Sequence, residues 1–179
     1  IQGAVLFAHG SGSSRFSPRN QQVAKVLQSS GFATLLLDLL TEREAQDREY
    51  VFDIELLALR LSAAQQWAHT VNELVEVGFG YFGASTGAAA ALIAAAESPA
   101  GIREVVSRGG RPDLAERYLA DVRCPTLLIV GSLDEDVLEL NRGALAEMHC
   151  PKKLEVVSGA THLFEEPGTL DEVSRLAQA

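Results

Sequence analysis

The chain has 179 residues, 47% of them hydrophobic, and carries 24 acidic against 15 basic residues for a formal net charge of -9. That length suits one domain, 1–179, with one sizeable core. An acidic chain repels phosphate backbones and anionic lipid, which argues against nucleic-acid and membrane partners, and no run reaches the roughly 20 apolar residues of a membrane helix.

The elements alternate. Ala4–Ala8 reads as a buried strand. Ser17 and Pro18 mark a helix start, with Ser17 as N-cap and proline at the first helical position. That helix is expected to run to about Ser30, with Gly31 ending it. Ala33–Asp38 is a second strand, and Glu42–Tyr50 a charged loop. Ile54, Leu57, Leu61, Ala64 and Ala68 recur at steps of three and four, the mark of one helical face. Phe79–Gly83 is a third strand, followed by a helix over Thr86–Ala96. Arg103–Ser107 is a fourth strand, and Asp113–Ala120 a short helix. Thr126–Val130 is a fifth strand, with a helix near Val137–Met148. Leu154–Ser158 is a sixth. A last helix begins near Thr169, where Thr169 and Glu172 have capping-box spacing.

Strand and helix in turn, six times over, imply a mainly parallel sheet covered on both faces, a three-layer α/β sandwich. The connections are short and leave little room for an inserted lid. The two cysteines, Cys124 and Cys150, share no metal-binding spacing. They read as small buried hydrophobes, with a mutual disulfide as the other option.

The strongest local signal is Gly83-Ala84-Ser85-Thr86-Gly87, a G-x-S-x-G run between a strand and a helix. A serine on so tight a turn is pushed out of the sheet with its hydroxyl exposed. The plain alternative is a β–α turn with an N-cap serine. A serine hydroxyl needs a base to act as nucleophile. Of four histidines, His162 follows the sixth strand, at the same carboxyl edge as Ser85. His69 and His149 fall at helix ends, and His9 suits a bracing role in its loop. The base needs a carboxylate to fix its tautomer. Asp134, just past the fifth strand, fits best, with Glu135 and Asp136 as rivals. The order Ser85, Asp134, His162 is that of an α/β-hydrolase.

Negative charge develops on the substrate oxygen during attack, so hydrogen-bond donors must be waiting. The expected pair is the backbone N–H of Thr86 and that of Ser11, with Gly10 as the alternative to Ser11. The same loop, Gly10-Ser11-Gly12-Ser13-Ser14, invites a phosphate-binding reading, with Asp38 as a ribose acid. Arg15 stands where the third glycine of G-x-G-x-x-G would be, and there is no G-K-[ST]. Arg108 and Arg111 follow the fourth strand. They could grip a substrate carboxylate or pair with the protein's own acids.

Together, His9–Arg15, the Ser85 elbow, Gly131 with Asp134, and Gly159-Ala160-Thr161-His162 resemble the dienelactone hydrolase-like branch of the α/β-hydrolase superfamily. The resemblance covers essentially the whole chain. It implies a first strand beside the third, which brings the Ser11 loop to Ser85. It also implies two further strands ahead of Ala4–Ala8. These are missing here, which leaves the second strand on an edge. The chain opens with Ile1 rather than Met, consistent with a start upstream, and relatives can be fused to phosphoribosyltransferase domains. Dienelactone hydrolase itself uses cysteine as nucleophile, so Ser85 favours a general carboxylesterase acting on a small ester or lactone. No metal or organic cofactor is required, and the expected location is the cytoplasm. An acyltransferase or thioesterase on the same residues, or a non-catalytic binding domain, are the alternatives.

Overall fold

The computed structural model describes residues 1–179. Six strands form one all-parallel sheet: β1 (Ala4–Ala8), β2 (Ala33–Leu36), β3 (Phe79–Ala84), β4 (Glu104–Arg108), β5 (Thr126–Gly131) and β6 (Lys152–Val157). Their spatial order is β2-β1-β3-β4-β5-β6. The direction of build therefore reverses at β1, and the crevice between β1 and β3 is the switch point where open α/β sheets bind ligands. β2 lies at one edge, as the family resemblance implies.

Helices α1 (Pro18–Ser29) and α6 (Thr169–Gln178) cover one face of the sheet. Their Val23, Leu27 and Val173 pack with Phe7, Phe82, Val106 and Ile129 from the strands. The other face carries α3 (Ile54–Ala68), α4 (Thr86–Glu97) and α5 (Glu135–Glu147). α4 is buried from Thr86 through Ala95, which explains its run of alanines: a central helix sandwiched on all sides has room for little else. Both cysteines are buried and free. No helix is long and apolar enough to cross a membrane.

Several local expectations are corrected. The charged stretch Glu42–Tyr50 is not a plain loop. It holds a 3-10 turn, Glu44–Gln46, and a short helix α2, Arg48–Val51. The carboxylate of Glu44 accepts from the Thr41 N–H and hydroxyl and takes both arms of Arg60 from α3, at 2.7 Å each. A salt-bridged turn of charged residues has no apolar periodicity to announce it. The segment after Arg111 is a 3-10 helix, Pro112–Asp121. β6 starts at Lys152 because its pairing with β5 begins at Thr126. The capping box at Thr169 does not form. Gly168, at φ 81°, is the N-cap, and the Thr169 hydroxyl donates back to the Glu166 carbonyl.

Candidate active site

Ser85 sits where β3 turns into α4, with φ 51° and ψ -121°. A non-glycine residue there is strained, at a cost of about 1–3 kcal/mol, so its surroundings must hold it. They do so through the backbone: its N–H donates to the Arg108 carbonyl, and its carbonyl accepts from Ala88 and Arg111. The two flanking glycines are sterically required. A Cβ on Gly83 would collide with the backbone of Ala88, and one on Gly87 with the carbonyl oxygens of Ala8 and His9. A Cβ on Gly10 would come within 3.0 Å of the Ser85 Cβ, so the loop after β1 lies directly against the serine.

Asp134 is the N-cap residue of α5, yet its carboxylate makes no cap bond. It turns instead to His162, whose Nδ1 lies 2.6 Å from Oδ2. A carboxylate can only accept there, so Nδ1 carries the proton and Nε2 is left as the basic nitrogen. The rivals Glu135 and Asp136 point into solvent in the first turn of α5. Backbone bonds from Ser132 to Val157 and from Leu133 to Ala160 tie the Asp134 loop to the His162 loop. Ser85 Oγ makes no hydrogen bond within the protein, to His162 or to anything else. Without a substrate such contacts are commonly long and tighten only when one is bound.

The expected oxyanion donors come together, with one surprise. The Ser11 N–H approaches the elbow, but it donates to the side-chain oxygen of Thr86 at 2.9 Å. Thr86 is 3% exposed as a residue, and its hydroxyl gives its own proton to no protein acceptor. His9 braces this loop as a neutral ring. Its Nδ1–H donates to the Gly10 carbonyl, and Nε2 accepts from the Leu39 N–H.

A cleft of about 650 Å³ opens beside Ser11 and Thr86, floored by Leu39 and Leu57. The Glu44–Val51 segment supplies one wall through Ala45 and Val51, so the chain has more of a cap than its short connections suggest. Arg15 and Phe16 stand at the rim. Asp38, the candidate ribose acid, is taken by Arg15, which it binds through both the guanidinium and the backbone N–H.

No protein-family model matches the chain. Two curated proteins from strains of Mycobacterium tuberculosis, each with a provisional phosphoribosyl transferase name, are 59% identical over 176 residues. The match takes in 98% of this chain but 40% of each relative, so the chain spans well under half their length. Among solved structures, the dienelactone hydrolase of Anabaena variabilis ATCC 29413 is 53% identical, with a TM-score of 0.96 over 99% of this chain and 84% of that one. The chain belongs to the α/β-hydrolase superfamily, in its dienelactone hydrolase-like branch. More distant members share the fold. Est1E from Butyrivibrio proteoclasticus is 16% identical with a TM-score of 0.83, over 98% of this chain and 85% of its own. A serine hydrolase homologue from Coxiella burnetii is 20% identical at 0.83, over 99% and 84%.

Within this α/β-hydrolase frame the two arginines stay away from the cleft. Arg111 forms a two-pronged pair with Asp113, at 2.9 and 2.7 Å. Arg108 points from β4 under α1, where it donates to the Asn20 side chain at 3.2 Å and lies over Phe164. Burial, with Arg19 nearby, pushes its pKa down to about 10. Strand alternation carried this signal: Val106 faces α1 and α6, and Arg108, two residues on, must share that face. Sequence reasoning missed the supports of the histidine loop. Phe164 takes φ 55° to bury its ring in the core, and Glu166 clasps the Thr161 N–H and hydroxyl. The Thr161 hydroxyl, more than its N–H, holds the Glu166 carboxyl below its ordinary pKa.

Proposed function

We propose that this chain is a serine hydrolase that cleaves a carboxylic ester or lactone of a small substrate, with Ser85, His162 and Asp134 as its catalytic triad. Ser85 Oγ attacks the carbonyl carbon while His162 Nε2 takes the hydroxyl proton. Asp134 holds Nδ1–H and steadies the imidazolium. The tetrahedral intermediate collapses as His162 returns the proton to the leaving alcohol oxygen. Water, deprotonated by the same nitrogen, then attacks the acyl carbon, and the bond to Ser85 Oγ breaks as His162 returns that proton to Oγ and the acid leaves.

The observation that carries this reading is the 2.6 Å bond from His162 Nδ1 to Asp134, with Ser85 strained on the neighbouring elbow. The neighbour named as dienelactone hydrolase, 53% identical, supports an ester-cleaving role. The transferase name of the mycobacterial relatives belongs to chains more than twice as long. The Gly10–Ser14 loop offers little support for carrying a phosphate site over, since its Ser11 N–H is engaged by Thr86.

A panel of short p-nitrophenyl esters and lactones tests the proposal. Ser85→Ala is expected to lose at least ~10⁴-fold in kcat, and a fluorophosphonate probe is expected to label the native protein but not this variant. Undiminished hydrolysis by Ser85→Ala would overturn the assignment. A folded native protein that neither hydrolyses nor labels would mark a binding domain.

A further inference from the structure

An amide has one proton to give, and that of Ser11 is already given. Its nitrogen lies 2.9 Å from Thr86 Oγ1, inside a packed turn where Thr86 as a residue is 3% exposed. The Thr86 oxygen therefore accepts from Ser11 and keeps its own hydrogen uncommitted, on a residue that adjoins Ser85 and lines the cleft. A hydroxyl that accepts one hydrogen bond is polarised into a better donor of the next. Its backbone N–H opens α4, where the first amides have no partner within the helix and the helix dipole favours negative charge.

We propose that Thr86 supplies both donors to the oxyanion, its N–H and its hydroxyl, with the Ser11 amide as the support that aims and polarises that hydroxyl. This rests on the serine-hydrolase reading above. It departs from the expectation that Ser11 itself touches the substrate oxygen. Thr86 is then a catalytic residue through its side chain, and Ser11 a positioning residue. The arrangement needs no rearrangement when charge develops, because the relay already stands in the unliganded protein. For Ser11 to donate directly, the buried threonine would first have to turn its hydroxyl away.

The two arrangements predict opposite signs. Under the proposal, Thr86→Val and Thr86→Ala lose roughly 100- to 1,000-fold in kcat on a short p-nitrophenyl ester, with KM little changed. Thr86→Ser rescues most of that loss. A Thr86→Val or Thr86→Ala protein that melts cooperatively and holds or gains kcat would overturn it, since the freed Ser11 amide would then be serving the oxyanion itself. Should neither variant fold, a crystal structure of the native protein labelled with a fluorophosphonate decides. The phosphonyl oxygen is expected at about 3 Å from Thr86 Oγ1, with Ser11 still bonded to it. A phosphonyl oxygen on the Ser11 N–H, with the threonine hydroxyl turned aside, would refute the proposal. Native protein that takes no label and cuts no ester would bring down the Ser85 reading, and this inference with it. A labelled native protein beside a fully active Thr86→Val would bring down the inference alone.

Discussion

Arg108 holds a guanidinium in the core with no carboxylate beside it and with its Nε unpartnered. Burial first, then Arg19, lowers its pKa to about 10. A base whose folded pKa lies below its unfolded value opposes folding wherever it is charged in the native state. That penalty is present at neutral pH and is relieved only as pH climbs through about 10 toward the unfolded value. Arg108→Met keeps the length of the side chain and removes the charge. It is expected to hold or raise the melting temperature at pH 7, by about 2–4 °C for each kcal/mol relieved. KM for anionic esters is expected to stay unchanged, because the side chain does not line the cleft. A raised KM for anionic esters alone would restore Arg108 as a substrate contact. The residue scale is also where sequence legibility divides. The placement of Ser85, Asp134 and His162 at one edge of the parallel sheet was readable because each follows its own strand. The engagement of the Ser11 amide was not, since it depends on the rotamer of one threonine, which no spacing encodes.

Among the elements, strands and long helices were legible to within a residue or two, because burial imposes a period on their apolar residues. The Glu44–Val51 segment was not, since ion pairs hold it and it contributes only Ala45 and Val51 to the cleft. Its anchor has a defined acid limit. The side-chain bonds from Arg60, then those from Thr41, hold the Glu44 carboxyl at a pKa of about 2, against 4.5 for the free group. For a carboxyl with a lowered folded pKa, the stabilisation is complete above the unfolded value and is lost as pH falls through the folded one. Protection factors across Glu44–Val51, corrected for the intrinsic pH dependence of amide exchange, are therefore expected to match at pH 7 and pH 5 and to fall progressively between about pH 4 and pH 2. Glu44→Gln is expected to show fast exchange already at pH 7. Equal exchange in the two proteins at pH 7 would mean that the ion pair does not secure this wall.

At the scale of the whole molecule, the core has two unequal halves on either side of the sheet, and one outer surface is less well covered than the rest. Phe52, Leu59 and Trp67 project outward around α3, at 45%, 64% and 57% exposure. Trp67 is the only tryptophan, so it reports on that surface by itself. Its emission is expected to be that of a water-exposed indole, readily quenched by acrylamide and independent of protein concentration. A blue shift on concentrating the sample would show that a second copy covers α3. The layer on the opposite side is closed by α1 and α6, the first and last helices along the chain, with Val23 and Val173 in one cluster. Along the chain, α1 is made well before α6. Until α6 docks, Phe7, Phe82 and Val106 lack the cover that Val173 supplies. Burial of this face and steadying of the segment that carries residue 162 are therefore expected together, when α6 docks.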